Sequence, residues 1–134
     1  MVDVSTGLSD ERLCNESRKF TDIFYDAFDR KREKIGFFYS GASANLVWNG
    51  NPVNGHEEIL TFLKALPSTR HEIQSIDGQS IPDGIDGPEK SIILHLAGTV
   101  YINDVDEHAF SQTLVLVVED NKYKIQSDRY RFID

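Results

Sequence analysis

Asp128 is the residue best placed for acid–base work, in the closing stretch YKIQSDRYRFID. A carboxyl group among Ile, Tyr and Phe neighbours loses water, which disfavours its charged form and raises its pKa toward the range of a general base. No companion acid or oxyanion donor stands at a recognisable spacing from it. Arg131 lies three residues on. Its planar fork suits a two-point ion pair with a carboxylate better than a lysine would. A charge in so apolar a segment is either exposed at an edge or matched across an interface, and the residues favour the second for Arg131. The four histidines, His56, His71, His95 and His108, show no metal-ligand spacing, and the single cysteine, Cys14, completes no set. The GxxxxGK[ST], GxGxxG, HExxH and GxSxG patterns are all absent. Binding is favoured over catalysis.

Composition narrows the binding classes. The 134 residues carry a net charge of −8, with 40% hydrophobic residues. That is enough apolar material for a core and fits one domain over residues 1–134. The acidic balance argues against an electrostatic grip on nucleic acid, so any link to RNA is expected to run through another protein. One cysteine allows no internal disulfide and fits a reducing compartment. The start, MVDVSTGLSDERL, lacks the basic and apolar regions of a signal peptide. SIILHLAGTVYI is too short to span a bilayer and contains His95.

Helices precede strands. Residues 9–34 read as a long helix, with Ser9 as N-cap and Leu13, Phe20, Ile23, Phe24, Ala27 and Phe28 on one face. A short helix is expected in IGFFYSG, ended by Gly41. Leu46–Trp48 reads as a strand, Asn49-Gly50 as a turn, and Pro52 as an edge residue. A helix over 56–66 follows, capped by Asn54 or Gly55, with Glu57 three residues after Asn54 as in a capping box and Ile59, Phe62, Leu63 and Leu66 buried. Trp48 reads as core at a strand end rather than as a ligand platform. From residue 70 the pattern becomes strands: RHEIQSIDGQSI with a bulge at Gly78, then 92–102, 110–118 and YKIQSDRYRFI. IPDGIDGPEK and NDVDEH read as loops, and the acidic residues Asp104, Asp106 and Glu107 as a solvated hairpin tip. This predicts an α+β architecture with helices on one face of a strongly bent antiparallel sheet.

The strands hold the strongest binding clue. A sheet with one wet face should alternate apolar and polar residues. In strand 92–102, Ile92, Leu94, Leu96, Val100 and Ile102 share one face, but the other holds Ile93, His95, Ala97, Thr99 and Tyr101. In strand 110–118, Val115 and Val117 oppose Phe110, Leu114, Leu116 and Val118. Three short helices cover one face of such a sheet and hardly both, so the second face calls for a partner, the favoured reading, or for loops of a thick-cored monomer. The expected partner-facing residues are Arg131, Asp128, His95, Tyr101, Val115 and Val117.

LVWNGNPVNGHEEILTFLKALPS resembles the strand–turn–helix of the nuclear transport factor 2-like fold. HAFSQTLVLV resembles the strand of that fold carrying an aromatic residue and a Gln, and YKIQSDRYRFID its closing strand. LVWNGNPVNG and the end QSDRYRF are similar to one branch, the nuclear-transport-factor-2-related export proteins, with Gln126 and Arg129 departing from that branch's ending. The resemblance implies a cone-shaped α+β domain, with a long N-terminal helix and two short helices on a curved antiparallel sheet. It implies a non-enzymatic adaptor without cofactor, shuttling between nucleus and cytoplasm. The adaptor would pair through its sheet with the homologous domain of a large nuclear RNA export factor of the Tap family. The pair would bind Phe-Gly nucleoporins and carry messenger ribonucleoprotein, and Arg131 matches an Arg that salt-bridges an Asp of the large subunit. Two alternatives within the superfamily are a homodimeric carrier of Ran-GDP, meeting the GTPase near Asp104 and Asp106, and an isomerase or dehydratase using a conical pocket around Asp128.

Overall fold

The computed structural model describes residues 10–81 and 91–134. Ser9, proposed as N-cap, and most of the loop IPDGIDGPEK lie outside them. Helix α1 runs Asp10–Arg30, and its buried stripe is Leu13, Ser17, Phe20, Thr21, Phe24, Ala27 and Phe28. These positions recur at three and four residues, the spacing of one helical face. Ile23 falls off that stripe and is exposed, contrary to expectation. The helix also ends earlier than residue 34, because Lys31 leaves helical geometry and a 3-10 helix, Arg32–Phe38, begins.

Strands β1 (Asn45–Trp48) and β2 (Asn51–Asn54) form a hairpin through Asn49-Gly50, both at positive φ as a type I′ turn requires. Helix α2 spans His56–Lys64, two residues shorter than predicted. Gly55 holds its N-cap position without a side-chain cap, so the Asn54–Glu57 capping box does not form. Ile59 and Leu63 are fully buried. Strands β3 (Thr69–Ile81), β4 (Ser91–Ile102), β5 (Asp106–Glu119) and β6 (Lys122–Phe132) complete one sheet in the order β2-β1-β6-β5-β4-β3. β2, which carries Pro52, is an edge strand.

Two sheet details correct the sequence reading. The sheet is mixed, since β1 runs parallel to β6 while the other pairs are antiparallel. A parallel neighbour is separated from its partner by the whole intervening chain, so no local pattern announces it. The β3 bulge lies at Ile73–Ser75 and not at Gly78. Gly78 is small for another reason: a Cβ there would stand 2.3 Å from Ser17 Oγ on α1. Opposite the bulge sits Gly98, whose Cβ would stand 2.0 Å from the Glu72 carbonyl oxygen.

The core lies between the helices and one sheet face. It holds Phe24, Phe28, Ile35, Tyr39, Leu46, Ile59, Leu94, Phe110, Leu114, Ile125 and Tyr130, among others. Trp48 packs against it, its ring stacked on Tyr130 at 4.1 Å and 7°.

Candidate partner interface

Strand alternation sorts the predicted residues. Side chains at even positions in the middle of β4 and β5, and from Asp128 on in β6, such as Leu94, Leu114 and Tyr130, point at the helices and are buried. Odd positions there point the other way, and before the register shift in β6 the parity reverses, so that Ile125 is the buried residue. The pairing register then assembles them into rows across the sheet: Arg131–Ser111–Ala97, Arg129–Thr113–His95, and Ser127–Val115–Ile93. Members of a row are neighbours at about 4.8 Å strand spacing. Val117 continues this face past a bulge at Val115–Leu116, opposite Lys124, and Val47 of β1 lies beside Arg129. Among the described residues, no helix lies over this outer face.

The face thus has an apolar centre of Val115, Val117, Ile93 and Val47, all half-buried by their neighbours. Hydroxyl-bearing residues surround it, and His95 Nδ1 lies 3.3 Å from Thr113 Oγ1. On one side stand Arg129 and Arg131, both exposed, neither making an ion pair among the described residues. On the other side the Arg70 guanidinium covers the Tyr101 ring at 4.1 Å and pairs with Glu72 and Asp104. Tyr101 is therefore already engaged, whereas Arg131 is available to a carboxylate from outside.

Asp128 does not share this face. Its even position turns it inward, and it is 1% exposed. Tyr39 OH donates to Oδ2 at 2.6 Å and Gln112 Nε2 to Oδ1 at 2.8 Å, while Tyr25 OH donates to Gln112 Oε1. Burial raises the Asp128 pKa to about 6, and the two hydrogen bonds limit the rise. This carboxyl braces the core, and its inward direction keeps it from a partner at the outer face. Its surroundings are filled by aromatic side chains. Tyr39, Tyr130, Phe24, Phe28 and Phe110 fill the space beneath the helices. Neither of the two open grooves described for the molecule is lined by Asp128.

Sequence reading missed two polar centres. Asp29 on α1 accepts from the His71 backbone N–H at 2.8 Å, from Thr69 Oγ1 at 2.8 Å, and lies 2.7 Å from His71 Nδ1. With a neutral ring protonated at Nδ1, His71 Nε2 accepts from Tyr130 OH at 2.8 Å. The His71 side chain is fully buried, so this chain of bonds ties α1, β3 and β6 together. Arg32 is the other centre. Its guanidinium donates to the Leu63, Leu66 and Pro67 carbonyls and to Thr69 Oγ1 at 2.9–3.2 Å. It satisfies the open C-terminal end of α2. Neither partner set is adjacent in sequence, so only an i,i+4 clue (Arg32 to the Phe28 carbonyl) was available. Among the described residues, no cluster of three or more His, Cys, Asp or Glu could hold a metal.

Helices stacked on one face of a six-stranded mixed sheet, with no helix among the described residues over the other face, define the nuclear transport factor 2-like class of α+β proteins. The Nuclear transport factor 2 (NTF2) domain model matches residues 16–132. The chain is 56% identical over 126 residues to an NTF2-related export protein of Caenorhabditis elegans, covering 93% of this chain and 91% of that one. Nuclear transport factor 2 of Cryptosporidium parvum superposes with a TM-score of 0.80 at 21% identity, over 95% of this chain and 99% of that one. The Mtr2-Mex67 M domain complex of C. albicans contains a chain matching with a TM-score of 0.70 at 16% identity, over 90% of this chain and 96% of that one. The chain belongs to the nuclear transport factor 2 domain family and, within it, to the NTF2-related export proteins.

Proposed function

We propose that this protein is the small, non-enzymatic subunit of a messenger RNA export receptor. It pairs through its outer sheet face with the nuclear transport factor 2-like domain of a large nuclear RNA export factor of the Tap family. The observation that carries this reading is the outer face itself: an apolar centre at Val115, Val117 and Ile93, beside two exposed arginines without an ion pair among the described residues. Such a centre with a polar rim is the anatomy of a protein–protein interface. A stable pair of this kind buries about 1,200 Å² or more in total. The C. elegans relative, named as an export protein, supports the transport role. The fold neighbour solved with Mex67 supports the heterodimeric mode. The pair would contact Phe-Gly nucleoporins and shuttle between nucleus and cytoplasm. The net charge of −8 agrees with leaving RNA contact to the partner. The sealed surroundings of Asp128 speak against an isomerase or dehydratase.

Arg131→Asp tests the interface. Arg131 is exposed and unpaired, so the isolated fold should keep its unfolding midpoint. Reversal of a charge matched across the interface should weaken pairing about 30-fold or more. Titration calorimetry with the partner domain reads both the affinity and the stoichiometry. Unchanged affinity would remove Arg131 from the interface.

A further inference from the structure

A second surface lies away from the Val115 centre of the outer face and meets that face only at Lys124. A groove of about 600 Å³ runs between α1, the 3-10 helix and the turn joining β5 to β6. Phe20 and Val118 line it, and Ile23 and Phe37 stand at it in solvent, 49% and 70% exposed. Phe38, next in the chain, folds inward instead, with its ring 5.8 Å from Phe20 and 5.6 Å from Phe24. The core therefore takes one of two adjacent phenylalanines and leaves the other in water beside a concave apolar surface. The Lys124 ammonium donates to the Phe37 carbonyl, which fastens the 3-10 helix to β6 and holds that side of the groove in shape.

Charge says what would fit. Lys19, Lys122 and Lys124 line the groove with Arg12, against one carboxylate, Glu16, in a chain whose net charge is −8. Lys19 and Lys122 make no ion pair among the described residues. A cationic patch kept on an acidic protein around exposed apolar side chains matches an anionic ligand with an apolar anchor. We propose that this groove docks a short acidic segment of a partner protein. An aromatic side chain seats between Ile23 and Phe37, and flanking carboxylates face Lys19 and Lys122. The seat of the aromatic side chain, between Ile23 and Phe37, lies apart from Val115 and Ile93 of the outer face.

The probe is a fluorescein-labelled Gly-Ser peptide carrying one Phe between pairs of Asp, titrated into the full chain and followed by anisotropy. Saturable binding is expected, with a Kd on the order of 10–100 μM. Phe37→Ala should weaken it about tenfold. Lys19→Glu combined with Lys122→Glu should do the same and flatten its salt dependence. A peptide with Lys in place of Asp should bind at least about tenfold more weakly. All three side chains are exposed, so the variants should keep the parent unfolding midpoint. Chemical-shift mapping on the unaltered chain gives an independent readout, with changes expected at Lys19, Ile23 and Phe37. The proposal is overturned by an absence of saturable binding, by equal binding of the Lys peptide, or by shifts confined to the outer face. It is also overturned if the chain alone self-associates through this groove and Phe37→Ala abolishes that association, since the occupant would then be a second copy.

Discussion

A carboxyl group as deeply buried as Asp128 leaves a mark on stability that can be titrated. Its folded pKa, about 6, lies above the ordinary carboxylate value near 3.9. Between these values the folded chain holds a proton that the unfolded chain has released. Stability contributed by this group is therefore present at low pH and is lost as pH rises from about 4 through 6. Two units correspond to about 3 kcal/mol. In Asp128→Asn the Oδ1 still accepts from Gln112 and the amide N–H can donate to Tyr39 OH. The variant should thus be more stable than the parent by about 1–3 kcal/mol at pH 7 and about equal to it at pH 4. Urea unfolding of both proteins across that range checks the difference. The type of Asp128 was legible as a perturbed carboxyl, because apolar neighbours in sequence signal desolvation. Its direction was not: a shift of one position along a strand exchanges the two faces, and Asp128 and Arg131, both expected to face a partner, stand on opposite ones.

At the scale of elements, Gly98 and Arg32 show how the pieces are fixed to one another. Gly98 lies where β4 meets the β3 bulge, and a Cβ would stand 2.0 Å from the Glu72 carbonyl oxygen and 3.1 Å from Ile73 Cα. Backbone atoms cannot turn aside as a side chain can. Gly98→Ala should therefore cost more than about 2 kcal/mol and lower the urea midpoint at unchanged slope. Arg32 has a different office, closing the carbonyl end of α2. Arg32→Ala leaves the Leu63, Leu66 and Pro67 carbonyls without this donor and should cost about 2 kcal/mol. Hydrogen exchange would localise the effect, with faster exchange at the end of α2 and little change in β5. The existence of α1, α2, the Asn49-Gly50 turn and the later strands was readable, because each rests on a local period or turn preference. The bulge position and the α2 clasp were not, since both depend on a contact between distant segments.

For the whole molecule, the proposed pairing is a linkage problem. A partner that binds only the folded chain adds RT ln(1 + [L]/Kd) to its stability, about 2.7 kcal/mol at a hundredfold excess over Kd. Adding the large subunit's nuclear transport factor 2-like domain should raise the unfolding temperature of this chain in a concentration-dependent way. Val115→Asp, at the middle of the outer face, should abolish that rise, because a carboxylate would be stranded in the interface core. Its own cost to the isolated chain should stay small, as Val115 is only half-buried. Differential scanning calorimetry with and without the partner domain separates the two effects. A rise undiminished in Val115→Asp would mean that pairing uses some other surface.

The order of residues already specifies the α+β class, the succession of helices and strands, the edge position of β2, and the surplus of apolar side chains on both sides of β4 and β5. These properties live in spacings of two to four residues and in the turn preferences of Asn and Gly. Folding in three dimensions was needed to set β1 parallel to β6, to place Asp128 in a buried Tyr25–Gln112–Asp128–Tyr39 network, and to leave Ile23 and Phe37 in water. Each of those outcomes is set by register and packing between segments far apart in the chain, where a one-residue shift moves a side chain from the core to solvent.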